Sequence, residues 1–307
     1  MSKLIFKLIL SRIAQGILVL LILSILIFGL LAAAGGDAVN AIDGSPHISE
    51  ETARELRRVY GLDQPFAIRY ARWLGEIARG RLGYSISYQT PVGAILRPCL
   101  INTAVLAALA MAIAWATALT LGTAAAARAG TWIDHLCSLI VIMASSTPRL
   151  VLALLTLVMI TYIPYGNTPA GRFLQLMLPT LILSVPLTAI LLAQMRGRVK
   201  EVYDEEFVRA ARAKGTSERS ILFHHVLRPS LNPLITISGY SLGGLIGGSV
   251  IVERVFSWPG LGHLCVTAVQ SRDVPLLMGI VLVTATAVLA GNLLADILLR
   301  LNDPRLR

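Results

Sequence analysis

The chain is short of charged residues. Only 14% of its 307 residues are Asp, Glu, Lys or Arg, whereas a soluble domain carries about 25%. Hydrophobic residues make up 55% of the chain, and its mean hydropathy is +0.72. Together with long apolar runs, this composition excludes an ordinary soluble domain and predicts an integral membrane protein.

Cysteine is also scarce. Cys99, Cys137 and Cys265 are far apart, and no two of them form a C-x-x-C pair. We therefore infer neither a metal site nor a disulfide framework. A bridge between Cys99 and Cys265, which can both face the outside, is left open.

The sequence lacks the common signatures of enzymes. Its four lysines are Lys3, Lys7, Lys200 and Lys214, and none follows a glycine. A P-loop lysine is therefore excluded, because that motif needs Gly-Lys after the phosphate-binding turn. There is no H-E-x-x-H and no G-x-S-x-G. His224 and His225 are adjacent, so their rings point apart on a helix and do not suggest a shared metal ion. We expect no catalytic residue and no metal site.

Basic residues outnumber acidic ones, and the formal net charge is +10. They are not clustered with aromatic residues on one face, so nucleic acid is not the expected partner. Most of them flank apolar segments, as the positive-inside rule describes. Membrane lipid is the expected surrounding.

Six apolar runs predict six membrane spans. They cover about Ile13–Ala34, Asn102–Ala127, His135–Ile163, Phe173–Gln194, Leu234–Val252 and Leu276–Leu299. A signal peptide is a rival for the first run, because Ala32-Ala33-Ala34 resembles a cleavage site. The run is longer than the 7–15 residues of a signal core, which favours a retained span.

Charge predicts the orientation of the spans. The four segments that we place in the cytoplasm hold 15 of the 27 Lys and Arg residues, and the two short outer loops hold 3. The N- and C-termini, including the tail Asp303–Arg307, are therefore expected in the cytoplasm.

The polar segment 35–98 is expected outside, lying against the membrane. Its eight Arg residues do not prevent this, since long loops are translocated despite positive charge. An amphipathic helix is predicted from Ser49 to Tyr60, and Tyr70, Trp73 and Leu74 indicate another short helix.

The third run contains a Pro-Arg pair. Pro148 is expected to kink or break the span. An arginine inside a membrane segment is a functional-site hypothesis by default, so Arg149 is a candidate for lining a substrate pathway. The alternative is that the kink lifts Arg149 to the interface, where its side chain snorkels. Both interpretations are left open.

The fifth run carries glycines at four-residue spacing. Gly239, Gly243 and Gly247 share one helix face, and Gly244 and Gly248 repeat the spacing. Small residues at this spacing let helices approach closely. We expect this face to pack against another helix or a partner subunit.

The longest hydrophilic stretch between spans is Met195–Arg228, which holds eight of the Lys and Arg residues. A solvated loop is the simplest interpretation. Within it, helical spacing places four residues on one face of a short helix. These residues are Phe207, Ala210, Ala211 and Lys214. A face of small side chains rimmed by Arg and Lys suits insertion into a groove of another protein.

The ends of two short helices are marked inside this stretch. Gly215 can adopt positive φ and end the first helix. Ser217 can cap a second helix, which we expect to run to about Leu227 and to stop at Pro229.

At this stretch the sequence resembles the EAA loop of ABC-importer permeases, whose pattern is E-A-A, three residues and then G. Here it reads Arg209-Ala210-Ala211-Arg212-Ala213-Lys214-Gly215. Arg at the first position is similar to the dipeptide/oligopeptide/nickel branch, which reads Y-V-R-x-A-R-A-K-G, with Phe207 in place of the Tyr.

Further matches to that branch follow in order over nearly the whole chain. They include Tyr60–Pro65, Gly80–Ser85, Gly244–Gly248, Glu253–Gly262 and Asp303-Pro304-Arg305. The sequence departs from the branch at Gly35–Ala38, where P-G-D-P is usual, and at Arg149, where the residue is usually apolar or aromatic.

The resemblance implies an all-α membrane protein of type I ABC-importer permease architecture, with 1–307 as one permease domain in the bacterial inner membrane. It implies a homologous second permease, two ATPase subunits and an extracytoplasmic substrate-binding protein as partners. The second permease would pack against the glycine face of Gly239, Gly243 and Gly247. The stretch 195–228 would be the cytoplasmic coupling loop. Its ATPase contacts would be Phe207, Arg209, Ala210, Ala211, Lys214 and Gly215. ATP and Mg²⁺ would bind to the ATPase, so no cofactor is expected in this chain.

Peptides are the favoured cargo, and nickel or a metal chelate is the alternative. A secondary transporter or channel is an alternative of another class. It would favour internal inverted repeats and ionisable residues at mid-membrane, whereas this sequence shows no repeat and one such candidate, Arg149. A membrane enzyme is a third alternative.

Overall fold

The structure is a computed structural model that describes residues 2–33, 64–160 and 169–302. Three predicted features lie wholly or mostly outside these ranges. They are the amphipathic helix Ser49–Tyr60, the outer loop Pro164–Arg172 and the tail Asp303–Arg307.

Helices dominate the described residues, which confirms the all-α prediction. The longest are α1 (Ser2–Ala33), α3 (Val92–Thr117), α7 (Pro169–Tyr203), α10 (Leu227–Val255) and α12 (Val274–Asn302). The shorter ones are α2 (Phe66–Ala78), α4 (Thr123–Ala127), α5 (Trp132–Ser146), α6 (Arg149–Ile160), α8 (Glu206–Ala213), α9 (Glu218–Ser220) and α11 (Leu261–Gln270). A two-residue antiparallel ladder joins β1 (Tyr84–Ser85) to β2 (Thr90–Pro91).

Six membrane spans are confirmed if one bent pair of helices counts as a span. Within the described ranges, five continuous stretches are long and apolar enough to cross a bilayer, and α5 with α6 forms the pair. The pair bends by 96° at its break, where Thr147 and Pro148 separate the two helices. Proline lacks the N–H that would continue the helix, so the break predicted at Pro148 is confirmed.

Two of the helical connections that the structure describes contain a π-helical turn. Ala118–Gly122 joins α3 to α4, and Ile221–Val226 joins α9 to α10. The second turn corrects a prediction, because the helix that starts after Ser217 does not stop at Pro229. The π-helical turn changes the backbone hydrogen-bonding pattern just before Pro229, which has no N–H to donate. One helix therefore continues from Glu218 to Val255.

The polar stretch Met195–Arg228 contains less loop than predicted, because both of its ends belong to long helices. Helix α7 continues to Tyr203, and the next helix starts at Glu218. We call residues 204–217, which lie between them and include α8, the central segment.

The chain forms two compact units, and each takes residues from distant parts of the sequence. The first contains Met1–Ile9, Ala104–Trp258 and Val288–Arg307, and the second contains Leu10–Thr103 and Pro259–Ala287. A single permease domain therefore stays a prediction.

The core of the first unit runs along α7. Leu183, Leu191 and Met195 are fully buried in it. Val208 of the central segment and Ile221 of the following helix belong to the same cluster. The central segment is thus attached to the membrane helices by its own apolar side chains.

The second unit joins a short hairpin to the start of α12. Asp273 is fully buried and accepts hydrogen bonds from the Ser85 hydroxyl (2.6 Å), the Ser87 amide (2.9 Å) and the Leu276 amide (3.1 Å). The last bond caps the N-terminus of α12.

The predicted short helix around Tyr70 and Trp73 is confirmed as α2. Phe28 of α1 packs edge-on against Phe66 and Tyr70, and the Tyr70 hydroxyl lies 2.9 Å from that of Ser24. Cys99 and Cys265 pack against the apolar cluster of this unit, but no disulfide bond joins the described cysteines.

Candidate functional site

The central segment ends its helix by the mechanism that the sequence predicts. Gly215 has φ +81°. Its amide donates to the Arg212 carbonyl (3.0 Å), and the Thr216 amide donates to the Ala211 carbonyl (3.2 Å). This bond pair is a Schellman motif, which needs a left-handed residue after the last helical turn. The prediction that Gly215 ends the helix is confirmed.

Ser217 starts the next helix, as predicted. Its hydroxyl accepts a hydrogen bond from the Ser220 amide at 3.4 Å. Arg212 bridges the two helices, because its Nε lies 2.6 Å and one of its terminal nitrogens 3.2 Å from the two carboxylate oxygens of Glu218. These hydrogen bonds raise the pKa of the Arg212 guanidinium above its usual value. The Gly215 turn is therefore held by its own backbone hydrogen bonds and by the contact between Arg212 before it and Glu218 after it.

Helix α8 has one buried side and one exposed side. Val208 is fully buried, and Ala211 packs half-buried against the same core. Phe207, Ala210 and Lys214 are exposed. The predicted face of four residues is therefore divided, since Ala211 also attaches α8 to the chain's own core.

A cavity of about 650 Å³ opens beside α8. Phe207, Glu205, His224, His225, Arg228 and Asn302 are among its lining residues. The Arg228 Nε donates to the backbone carbonyl of Asn302 (3.2 Å), and the side-chain Nδ2 of Asn302 donates to the backbone carbonyl of Arg228 (3.0 Å). The last turn of α12 is thus connected to the start of α10 next to the central segment.

The predicted glycine face of α10 is partly occupied within the chain. A Cβ on Gly239 would overlap the Cβ of Ala295, and one on Gly243 would lie 3.4 Å from Val288. Both neighbours belong to α12. The expected close packing against another helix is therefore confirmed for these two glycines, but that helix belongs to the same chain and not to a second permease. A Cβ on Gly247 meets nothing within 4 Å, and its contact with a second permease stays a prediction.

Arg149 is the first residue of α6 and reaches across to α10. One terminal nitrogen donates to the Gly244 carbonyl at 3.2 Å. The guanidinium occupies the position that a Cβ on Gly248 would need. The structure therefore brings the two predicted features, Arg149 and the glycine helix, together in one contact. A substrate pathway beside Arg149 stays a prediction.

The sequence did not predict an ion pair near the C-terminal end of α7. The Arg196 Nε lies 2.5 Å from the Asp134 Oδ1, and the Gly130 amide donates to the Asp134 Oδ2 at 3.0 Å. The partners are 62 positions apart in the sequence, so no local pattern links them. The only signal was Asp134 itself, an acidic residue at the edge of an apolar run.

The described residues contain no group of three or more His, Cys, Asp or Glu side chains placed to hold a metal ion. The arrangement at the central segment instead has the properties of a protein contact surface: a short helix anchored from behind, with an exposed aromatic, a small residue and a lysine in front.

Comparison with known proteins gives two family matches. Residues 118–307 match the model for the binding-protein-dependent transport system inner membrane component, and residues 5–111 match the model for its N-terminal part. The oligopeptide transport system permease protein AppB of Bacillus subtilis is 34% identical over 312 residues, covering 97% of this chain and 98% of that protein. A protein of Brucella abortus that is provisionally named as a peptide transport system permease is 36% identical, covering 98% of each chain.

Proposed function

The chain belongs to the family of binding-protein-dependent transport system inner membrane components, and on this premise we propose that it carries peptides across the membrane. As a member of the family it is a multi-pass inner membrane protein of type I permease architecture, and it is the permease component of an ABC importer rather than the enzyme that drives it.

Peptide as the cargo is supported by the names of relatives that align over nearly the whole chain. The Bacillus subtilis relative is named for oligopeptide transport, and the Brucella abortus relative for peptide transport. Nickel or a metal chelate stays the sequence-based alternative, and no observation on the described residues favours it.

The proposed assembly has one copy of this chain, a homologous second permease, two ATPase subunits on the cytoplasmic side and a substrate-binding protein outside. ATP and Mg²⁺ bind to the ATPase subunits. The support from this chain is that none of its four lysines follows a glycine, so it lacks the lysine of a phosphate-binding loop.

The ATPase contact in this proposal is the exposed side of α8. Phe207 offers an exposed aromatic ring, Ala210 allows close approach, and Lys214 offers a charge at the rim. Val208 and Ala211 hold the opposite side of α8 on the core. This division is the observation that carries the proposal, because a contact surface must be exposed in front and fixed behind.

Movement of α8 would reach two membrane spans directly. Two residues separate α8 from α7, and four separate it from the helix that continues into α10. Closure of the ATPase subunits would therefore shift the cytoplasmic ends of both spans and change the side of the membrane to which the pathway opens.

Substitution of Ala210 tests the proposed contact. Ala210→Glu adds a charged side chain on the exposed side of α8 and leaves Val208 and Ala211 in place. We expect the chain to insert normally, to lose co-purification with the ATPase subunits and to lose ATP-dependent uptake of a labelled tripeptide into vesicles.

Ala78→Glu is the matched control, because Ala78 is also an exposed alanine in the last turn of a short helix. It should retain the ATPase subunits and uptake. Normal association and uptake in Ala210→Glu would contradict the contact. ATP-dependent uptake of ⁶³Ni²⁺ without uptake of any peptide would contradict the cargo.

A further inference from the structure

The ion pair between Asp134 and Arg196 links two different spans. Asp134 lies in the first turn of α5, and Arg196 lies seven residues before the end of α7. The side chain of Asp134 is 12% exposed and that of Arg196 is 36% exposed. Removing Arg196 would leave the mostly buried carboxylate of Asp134 without its partner charge, so the contact resists separation.

Both oxygens of the Asp134 carboxylate are engaged. One contacts Arg196, and the other accepts from the Gly130 amide in the turn before α5. The carboxylate therefore fixes the Gly130 turn and the first turn of α5 onto α7 at the same time.

Apolar packing reinforces the same point on α7. Leu192, one turn before Arg196, is buried together with Ala125 of α4 and Cys137 of α5. A Cβ on Gly122 would lie 3.0 Å from the Cβ of Met195. The end of the second span and the start of the third span thus pack against residues 192–196 of the fourth span.

The ion pair is connected to the central segment without a break. Helix α7 continues from Arg196 to Tyr203, a distance of about 10 Å at 1.5 Å per residue. Val199 and Val202 of this last part share one buried cluster with Val208 of α8. A displacement of α8 is therefore carried to Arg196 by a packed helix rather than by a loop.

We propose that Asp134 and Arg196 are positioning residues for transport, which pass the movement of the central segment from α7 to the third span. This inference rests on the proposed function, because it assumes that an ATPase moves α8. Neither residue needs to touch the ATPase or the peptide, and each acts through the position of α5.

The test measures transport per ATP in the assembled importer, reconstituted in vesicles with its binding protein. Arg196→Gln and Asp134→Asn remove the ion pair while keeping polar side chains, and Asn can still accept from the Gly130 amide. We expect ATP hydrolysis to stay within twofold of the parent, while uptake of a labelled tripeptide per ATP falls about fivefold or more, the lower end of energetic couplings between sites.

Two further variants separate positioning from a merely structural role. Arg196→Lys restores a cation and should recover most of the transport per ATP. Arg198→Gln is the matched control, since Arg198 lies on the same helix and pairs with Glu201 at 2.9 Å. That pair is exposed and joins two residues of one helix, so its loss should leave transport per ATP unchanged.

Unchanged transport per ATP in Arg196→Gln and Asp134→Asn would overturn the proposal. An equal loss in Arg198→Gln, or no recovery in Arg196→Lys, would overturn it as well. A parallel loss of ATP hydrolysis and uptake in the assembled variants would assign the pair to stability alone. Failure of the proposed function gives a different result, because it appears as normal ATPase association in Ala210→Glu.

Discussion

The central segment and helix α10 were both singled out for their small residues, yet these residues have different roles in the two regions. In the central segment, Gly215 adopts the left-handed conformation that ends α8. In α10, Gly239 meets Ala295 of the same chain, Gly247 faces open space, and Gly248 lies under the guanidinium of Arg149. Glycines at regular spacing thus have three unlike environments on one helix.

The difference shows which contacts a short sequence pattern can specify. The conformation at Gly215 is set by hydrogen bonds within a few residues of chain. The surroundings of Gly239 and Gly248 are set by residues 56 and 99 positions away. The spacing predicts that something approaches closely, but it does not identify what approaches.

The largest effect should come from Gly239→Leu. Its side chain would have to enter the space held by Ala295 between α10 and α12. Overpacking of this kind costs about 1–3 kcal/mol of stability and sometimes more. We expect a clearly lower midpoint of thermal unfolding for the purified chain in detergent.

Gly247→Leu sharpens this prediction, because a Cβ added at Gly247 meets nothing within 4 Å. It should leave the unfolding midpoint unchanged and reduce co-purification of the second permease. A swap checks the same contact, since Ala295→Gly should restore the stability that Gly239→Ala loses. Equal unfolding midpoints for the two leucine variants would show that α10 and α12 do not pack as described.

Substitution of Arg149 tests whether the side of α10 that carries Gly244 and Gly248 borders the pathway. Its guanidinium has several donors, and one contacts the Gly244 carbonyl. A charged hydrogen bond to a peptide carboxylate contributes about 1.5–3 kcal/mol, so Arg149→Ala should lower uptake about tenfold or more. Arg149→Glu should lower it further, with ATP hydrolysis retained in both.

A C-terminally amidated tripeptide provides the control for this prediction. It lacks the carboxylate, so Arg149→Ala should change its uptake much less than that of the free acid. Equal uptake of the free acid by the parent and both variants would contradict this prediction. It would support the alternative that Arg149 lies at the membrane interface and contacts only α10.

Much of the fold follows from the sequence, because the spans depend on the number of consecutive apolar residues. The break at Pro148 and the end of α8 at Gly215 are specified by single residues with restricted or unusual backbone geometry. The sequence could not show that Pro229 lies within a continuing helix, since that depends on the π-helical turn Ile221–Val226.

The helix of the candidate site was predictable, but the direction in which each of its side chains packs was not. Helical spacing placed Phe207, Ala210 and Ala211 together, but it did not show that Ala211 packs inward against the core. The ion pair of Asp134 with Arg196 could not be predicted at all, since it depends on how α5 packs against α7. Contacts between separate spans are fixed by tertiary packing, for which a single sequence carries little local signal.

Gly215→Val should have an intermediate effect and tests the local side of the comparison. No atom lies within 4 Å of the added Cβ, so the whole cost comes from φ +81°. A left-handed residue other than glycine costs about 1–2 kcal/mol, and a β-branched side chain is poorly tolerated there. We expect weaker ATPase association with little change in the unfolding of the spans.

Gly215→Asn is the control, because asparagine tolerates the left-handed region better than other residues. It should retain most of the association. If Val and Asn behave alike, the Schellman motif does not determine the position of α8.

Ser217→Ala should have the smallest effect. Its hydroxyl accepts one hydrogen bond at 3.4 Å, which is long for such a bond, so the cost should lie near the low end of about 0.5–2 kcal/mol for a lost cap. The helix that it caps does not depend on this bond, because Ile221 and Val226 are fully buried behind it. Ser217→Asp should match the parent, and hydrogen exchange of the Ser220 amide should report the difference between the two variants. A loss of protection that extends to Val226 in Ser217→Ala would mean that the local cap, and not the packing of the span, holds the start of this helix.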